Sequence, residues 1–219
     1  VGDLFTQNKP TVYSDTAWIG YYNGESGLAD GFAQAGDAVF EAWRATYRPN
    51  DKLLLPMVYN YRHAIELALK VAIRTASERL RFAGQDDPEL QPEAIEAAFK
   101  KTYKHRVEPL GKRLVELLKW LQLGDLPEQT TKILARLHNL DPYGEAFRYE
   151  GNLRTSATTV DVPRLAALFR DTFDLIHGGV LTELDVFEDY QIDMLENFGG
   201  VPRLPKPGVA DEEDLALDT

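Results

Sequence analysis

Cysteine is absent from all 219 residues. Its absence excludes disulfides, thiolate nucleophiles and cysteine-based zinc sites, and fits a reducing cytoplasm. Long apolar runs are missing as well. No stretch approaches the roughly 18 residues that cross a bilayer, so no membrane partner is expected. The opening VGDLFTQNKP has no basic segment followed by an apolar one, and so no signal peptide is expected. It also lacks an initiator Met, and the chain reads as trimmed, processed or incomplete. Positive charge is scarce: the formal net charge is -11, which excludes holding nucleic acid by bulk charge. The terminal DEEDLALDT supplies Asp211, Glu212, Glu213, Asp214 and Asp218 without a base, so the body is mildly acidic and any basic site is confined.

What is present is a globular composition, 44% hydrophobic and 27% charged, with helical periodicity almost throughout. Phe32, Val39, Phe40 and Trp43 recur at three-to-four spacing. Asp51 is placed to cap a long second helix, with Pro56 at a start or kink. Ile65, Leu67, Leu69 and Val71 give that helix an apolar face broad enough for a central position. Helicity resumes at Pro92, with a break expected near His105 to Pro109. Leu110, Leu114, Leu117, Leu118 and Leu121 then line one side of the next helix. A shorter helix ends at Asp141-Pro142. The segment from Asp141 to Thr159 is non-periodic and reads as an ordered loop, with room for brief strand pairing. Asp161 and Pro163 mark the start of the last long helix, which contains RDTFDLIH, residues 170–177, and continues through Gly178-Gly179.

The expected fold class is therefore all-α, an antiparallel bundle of about five long helices. Residues 1–28 read as an N-terminal extension packing on the bundle, and residues 29–198 as the helical domain. Residues 199–219 read as a Pro/Gly-rich, then acidic tail, extended or disordered, or strapped onto a partner. No P-loop, dinucleotide-binding or zinc spacing occurs, so no cofactor and no metal is expected.

Three pieces in chain order, YRHAIELALK at 61–70, YKHRVEPLGKRLVELL from Tyr103 and EAFRYE at 145–150, resemble the HEPN superfamily, helical-bundle proteins of bacterial toxin-antitoxin and phage-defence systems. The resemblance spans about Tyr61 to Ile192. It implies a cytoplasmic protein, a homodimer and, in ribonuclease members, an Arg followed some residues later by a His. Arg170, Asp171 and His177 fit that description. Seven positions in an ideal helix return nearly to one face, so Arg170 and His177 point the same way. The implied chemistry is metal-independent RNA cleavage in a composite dimer site. His177 serves as base and acid, Arg170 holds the phosphate, and Asp171 orients one of them.

Spacing alone is a weak signal, since chance supplies on the order of one such Arg–His pair in a chain like this. The competing reading is a non-catalytic HEPN-like module that binds a partner protein or a nucleotide; a plain structural bundle comes third. Arg62, Arg148 and Tyr149 are candidates for RNA or phosphate contact, with loop anchoring as the alternative for the last two. His63, Glu66 and Lys70 share a face and read as a polar network that fixes helix packing, rather than as metal ligands. His105, at a helix start, reads as a packing or capping group. Trp18, Tyr21 and Tyr22 read as core cover or a partner surface.

Overall fold

The computed structural model of the protein describes residues 24–46, 50–147, 159–202 and 204–207. Among these residues the structure is all-helical, without a strand: α1 (Glu25–Arg44), α2 (Leu54–Phe82), α3 (Pro92–Ala98), α4 (Val107–Trp120), α5 (Glu128–Leu140), α6 (Val162–Asp174) and α7 (Leu181–Phe198). Six of them run 13 residues or more, where the periodicity suggests about five. The difference arises at the end of the chain, where α6 and α7 are joined through a π-turn at Leu175–Val180 instead of forming one regular helix. The residues 25–28 assigned to the extension form the first turn of α1. Trp18, Tyr21, Tyr22, Arg148, Tyr149 and the acidic tail from 211 on lie outside the described residues.

Helix α2 is the centre of the bundle. Sixteen of its 29 residues are buried, because α1, α4, α6 and α7 all pack on it. The broad apolar face read from its sequence is the local cause. Asp51 does not cap it; the chain enters through a short 3-10 turn at Asp51–Leu53, and no side chain bonds to the first α2 amides. Two glycines set close helix approaches. A Cβ on Gly36 of α1 would stand 3.0 Å from the Tyr61 ring, and one on Gly111 of α4 would stand 2.6 Å from Leu134 of α5.

The leucines of α4 read as one stripe are buried: Leu110, Leu114, Leu117 and Leu118 are at most 1% exposed. Each such burial is worth about 1.5–3 kcal/mol before ordering costs. The break expected near His105 to Pro109 comes earlier: a π-turn at Phe99–Tyr103 ends at Lys104, at φ 49°, and α4 is helical from Val107, with Pro109 in its first turn. At α6, Asp161 Oδ1 accepts from the Arg164 amide at 3.1 Å and Pro163 sits in the first turn, the arrangement its sequence suggests. The start of the tail lies back on its own bundle. The Leu204 carbonyl accepts from Gln85 Nε2 at 2.7 Å and Trp120 Nε1 at 3.3 Å, and Lys206 reaches Asp87 at 2.5 Å. No helix among the described residues is long and apolar enough to cross a membrane.

Candidate functional site

Two clusters gather the residues to which the sequence assigns chemistry. The first flanks α1. Arg170 Nε and Nη2 each lie 2.9 Å from a carboxylate oxygen of Asp174, one turn later on the same helix, and Nη1 donates to Asp37 Oδ2 of α1 at 2.8 Å. Asp37 Oδ1 in turn accepts from the Tyr61 hydroxyl at 2.5 Å. Burial first, and then the Asp37 carboxylate, push the Tyr61 phenol well above its ordinary range. One guanidinium therefore serves two carboxylates, and the group is formally negative.

His177 lies within the π-turn, its ring stacked on Phe173 with centroids 4.8 Å apart. Nε2 stands 2.8 Å from Ser26 Oγ and 3.2 Å from the Ser26 carbonyl oxygen. A carbonyl only accepts, so the tautomer with its proton on Nε2 satisfies both contacts. Both Arg170 and His177 face α1, but the ideal-helix argument does not explain this. The π-turn begins at Leu175, between the two, and holds one residue more per turn than an α-helix. Asp171 is exposed and is not the partner of either group; Asp174, Asp37 and Ser26 are.

The second cluster is buried at the α2–α4 side. Arg62 and Glu66 of α2 and Asp141 after α5 are no more than 2% exposed. Arg62 Nη1 donates to Glu66 Oε2 at 3.1 Å, and Nη2 to the His105 carbonyl at 2.5 Å. Its Nε faces Asp141 Oδ2 at 3.0 Å, an ion pair that lacks hydrogen-bond geometry. Asp141 Oδ1 accepts from the amides of Glu145 and Ala146 at 2.8 and 3.0 Å, which fixes the turn after α5. Glu66 Oε1 accepts from Lys70 Nζ at 2.7 Å and meets His105 Nδ1 at 2.9 Å. Burial pushes the Glu66 carboxyl up, yet Lys70, His105 and Arg62 outweigh it and hold the group below its ordinary range.

The structure thus brings Glu66 and Lys70 together with Arg62, His105 and Asp141. His63 stands apart from these bonds, edge-on to Phe32 at 4.3 Å and stacked near Tyr59, with burial lowering its pKa. Arg62, named for phosphate contact, is enclosed and committed to two carboxylates. His105, read as a packing group, instead carries a carboxylate on Nδ1 and a side chain about half exposed, at 49%. The signal for this was present in order, if not in spacing. The 61–70 and 103–118 segments quoted for the resemblance supply Glu66 and His105, and the third begins just after Asp141 to Gly144. Among the described residues, no three His, Asp or Glu side chains converge as a metal site. No protein-family model, curated protein or solved structure matches the chain.

Proposed function

We propose that the protein is a HEPN-like helical module of a bacterial defence or toxin system that works by binding, holding a nucleotide or a partner protein without cutting RNA. The observation that carries this reading is the state of Arg170. Each nitrogen of its guanidinium already faces Asp174 or Asp37, so a scissile phosphate would meet only the remaining N–H groups, beside two carboxylates that repel it. His177 is occupied in the same way by Ser26. Transition-state stabilisation needs donors preorganised toward the developing charge, and here they are preorganised toward the protein.

The test is to incubate the wild type and His177→Ala with total RNA. The binding reading expects no cleavage above background from either. Cleavage by the wild type that disappears in His177→Ala overturns it.

One observation favours the second reading, a homodimeric metal-independent endoribonuclease. Arg170 and His177 lie under the same helix, each partly exposed, so displacing α1 would uncover both together. In that mechanism a neutral His177 takes the ribose 2′-hydroxyl proton and Arg170 holds the phosphate. Asp37→Ala, which frees one Arg170 nitrogen, then raises cleavage; no cleavage from this variant removes the second reading.

A further inference from the structure

The one segment where cations accumulate without carboxylates is KKTYKHR, residues 100–106, in a chain of net charge -11. Lys100, Lys101, Lys104 and Arg106 have no ion-pair partner among the described residues, whereas Arg62, Lys70, Arg74, Arg79 and Arg170 all do. Glu96 feels Lys100 and Glu108 feels Arg106, but neither stands within ion-pair distance, so the clustered cations still repel one another and favour a further anion.

The backbone here is held in a costly form. Lys104 sits at φ 49°, ψ -115°, outside the regions that side-chain-bearing residues favour. Two bonds brace it: its amide donates to the Phe99 carbonyl at 2.8 Å, and the Arg106 amide to that of Tyr103 at 2.9 Å. The result is that Lys104, His105 and Arg106 are presented together at the start of α4. From the other side comes the turn after α5. Gly144, at φ 77°, lies so close that a Cβ there would stand 2.8 Å from His105 Cβ. Its neighbour in sequence, Tyr143, is 70% exposed.

His105 is oriented from within. Nδ1 is engaged by a carboxylate that is 1% exposed, which leaves Nε2 as the ring nitrogen for an external ligand. An oriented imidazole, two flanking cations outside any ion pair and an exposed aromatic ring match what a phosphate ester with an attached base requires. We infer that Lys104, His105, Arg106 and Tyr143 form a binding site for a nucleotide phosphate, free or within a single RNA strand. The inference rests on the reading of the chain as a nucleotide-binding module and names the site that would do it. Lys104 and Arg106 hold the phosphate oxygens, and the base stacks on Tyr143. The charged groups around the ring are Glu66, Arg62 and Lys70 from α2, Lys104 and Arg106 beside it, and Asp141 from the turn; His63 of α2 feels its charge.

The test uses the full chain, with His105 ring resonances followed by NMR and a fluorescein-labelled single-stranded oligoribonucleotide followed by anisotropy. Inorganic phosphate, 5′-AMP and the oligonucleotide are the three probes. Expected are shifts at His105 and Tyr143 with AMP or RNA, and an affinity for both that falls in His105→Asn. Lys104→Gly with Arg106→Gln should weaken RNA binding about tenfold or more and flatten its log-log salt dependence by about 1.4. Glycine relieves the positive φ, so the urea midpoint of this variant should not fall. Shifts with AMP but not RNA select the free nucleotide, and the reverse selects the strand. No shift at His105 with either, a response to phosphate alone, or RNA binding that ignores the double variant overturns the site. In the last case RNA still binds and the module reading survives without it; His177-dependent RNA cleavage would instead overturn the module reading and leave the site to be judged by its own probes.

Discussion

Asp141→Ala probes the buried cluster directly. The side chain is 1% exposed and does two jobs: Oδ2 faces Arg62 Nε at 3.0 Å, and Oδ1 accepts from the Glu145 and Ala146 amides. Removing the carboxylate leaves Arg62, itself 2% exposed, with Glu66 as its remaining charge partner. Breaking a buried ion pair from one side costs about 3–5 kcal/mol, because the surviving charge is left desolvated. The two freed amides can regain water when the turn loosens, so they add little beyond this. Arg170→Met is the matched comparison. It also breaks pairs with two carboxylates, but those side chains are 33%, 43% and 51% exposed, and such pairs are worth about 0.2–1 kcal/mol each. Urea unfolding at pH 7, followed by far-UV circular dichroism, should therefore show a loss of about 3–5 kcal/mol for Asp141→Ala and at most about 2 for Arg170→Met. Equal losses, or a loss below about 1 kcal/mol at Asp141, would refute the assignment of the cluster as buried and mutually dependent.

Gly111→Ala should destabilise by about 1–3 kcal/mol, since its Cβ would overlap Leu134 Cδ1 at 2.6 Å; an unchanged urea midpoint would mean that α5 yields freely there. Gly144→Ala combines a positive φ with contact against His105 Cβ, so thermal unfolding should begin earlier and the His105 ring resonance should move. Stability should also fall as pH drops below about 6.5, the ordinary value for histidine, because burial lowers the pKa of His63 and His138. The unfolded chain then binds protons that the folded chain resists, so stability rises with pH across that window. His63→Phe should shallow the slope between pH 7 and 5, and a slope identical to that of the wild type contradicts the burial argument. Glu66 has the depressed pKa of a paired carboxylate, so its contribution persists above its ordinary value near 4.5 and disappears only at lower pH.

The helices were legible because their causes are local. The Leu110–Leu121 stripe, the Pro92 start and the Asp161 cap act within a few residues, and each appears where the periodicity places it. Asp51 misleads because a 3-10 turn intervenes, a choice that no single residue announces. Partner identity was less legible. Nothing in YRHAIELALK says that Arg62 and Glu66 turn inward while His63 turns toward Phe32, since all three lie within one turn and only the positions of α1, α4 and the Asp141 turn separate them. Asp37 and Ser26 escaped notice for the same reason: they meet Arg170 and His177 across more than 130 residues of sequence.

The π-turn between α6 and α7 sets the phase of everything that follows it. Buried positions run Phe169, Phe173, Ile176, Val180 and Leu184, so two spacings of four fall in succession across the turn. The extra residue acts as a shim that returns Leu184 and Gln191 to the seam begun by Phe169. Deleting Gly179 would let the segment close into a regular α-helix and leave Leu184 on its seam. Keeping every residue of 175–180 in α geometry would instead turn α7 by about 100°, one residue's rotation, and carry Leu184 off the bundle. The length of this helix is a setting rather than a margin.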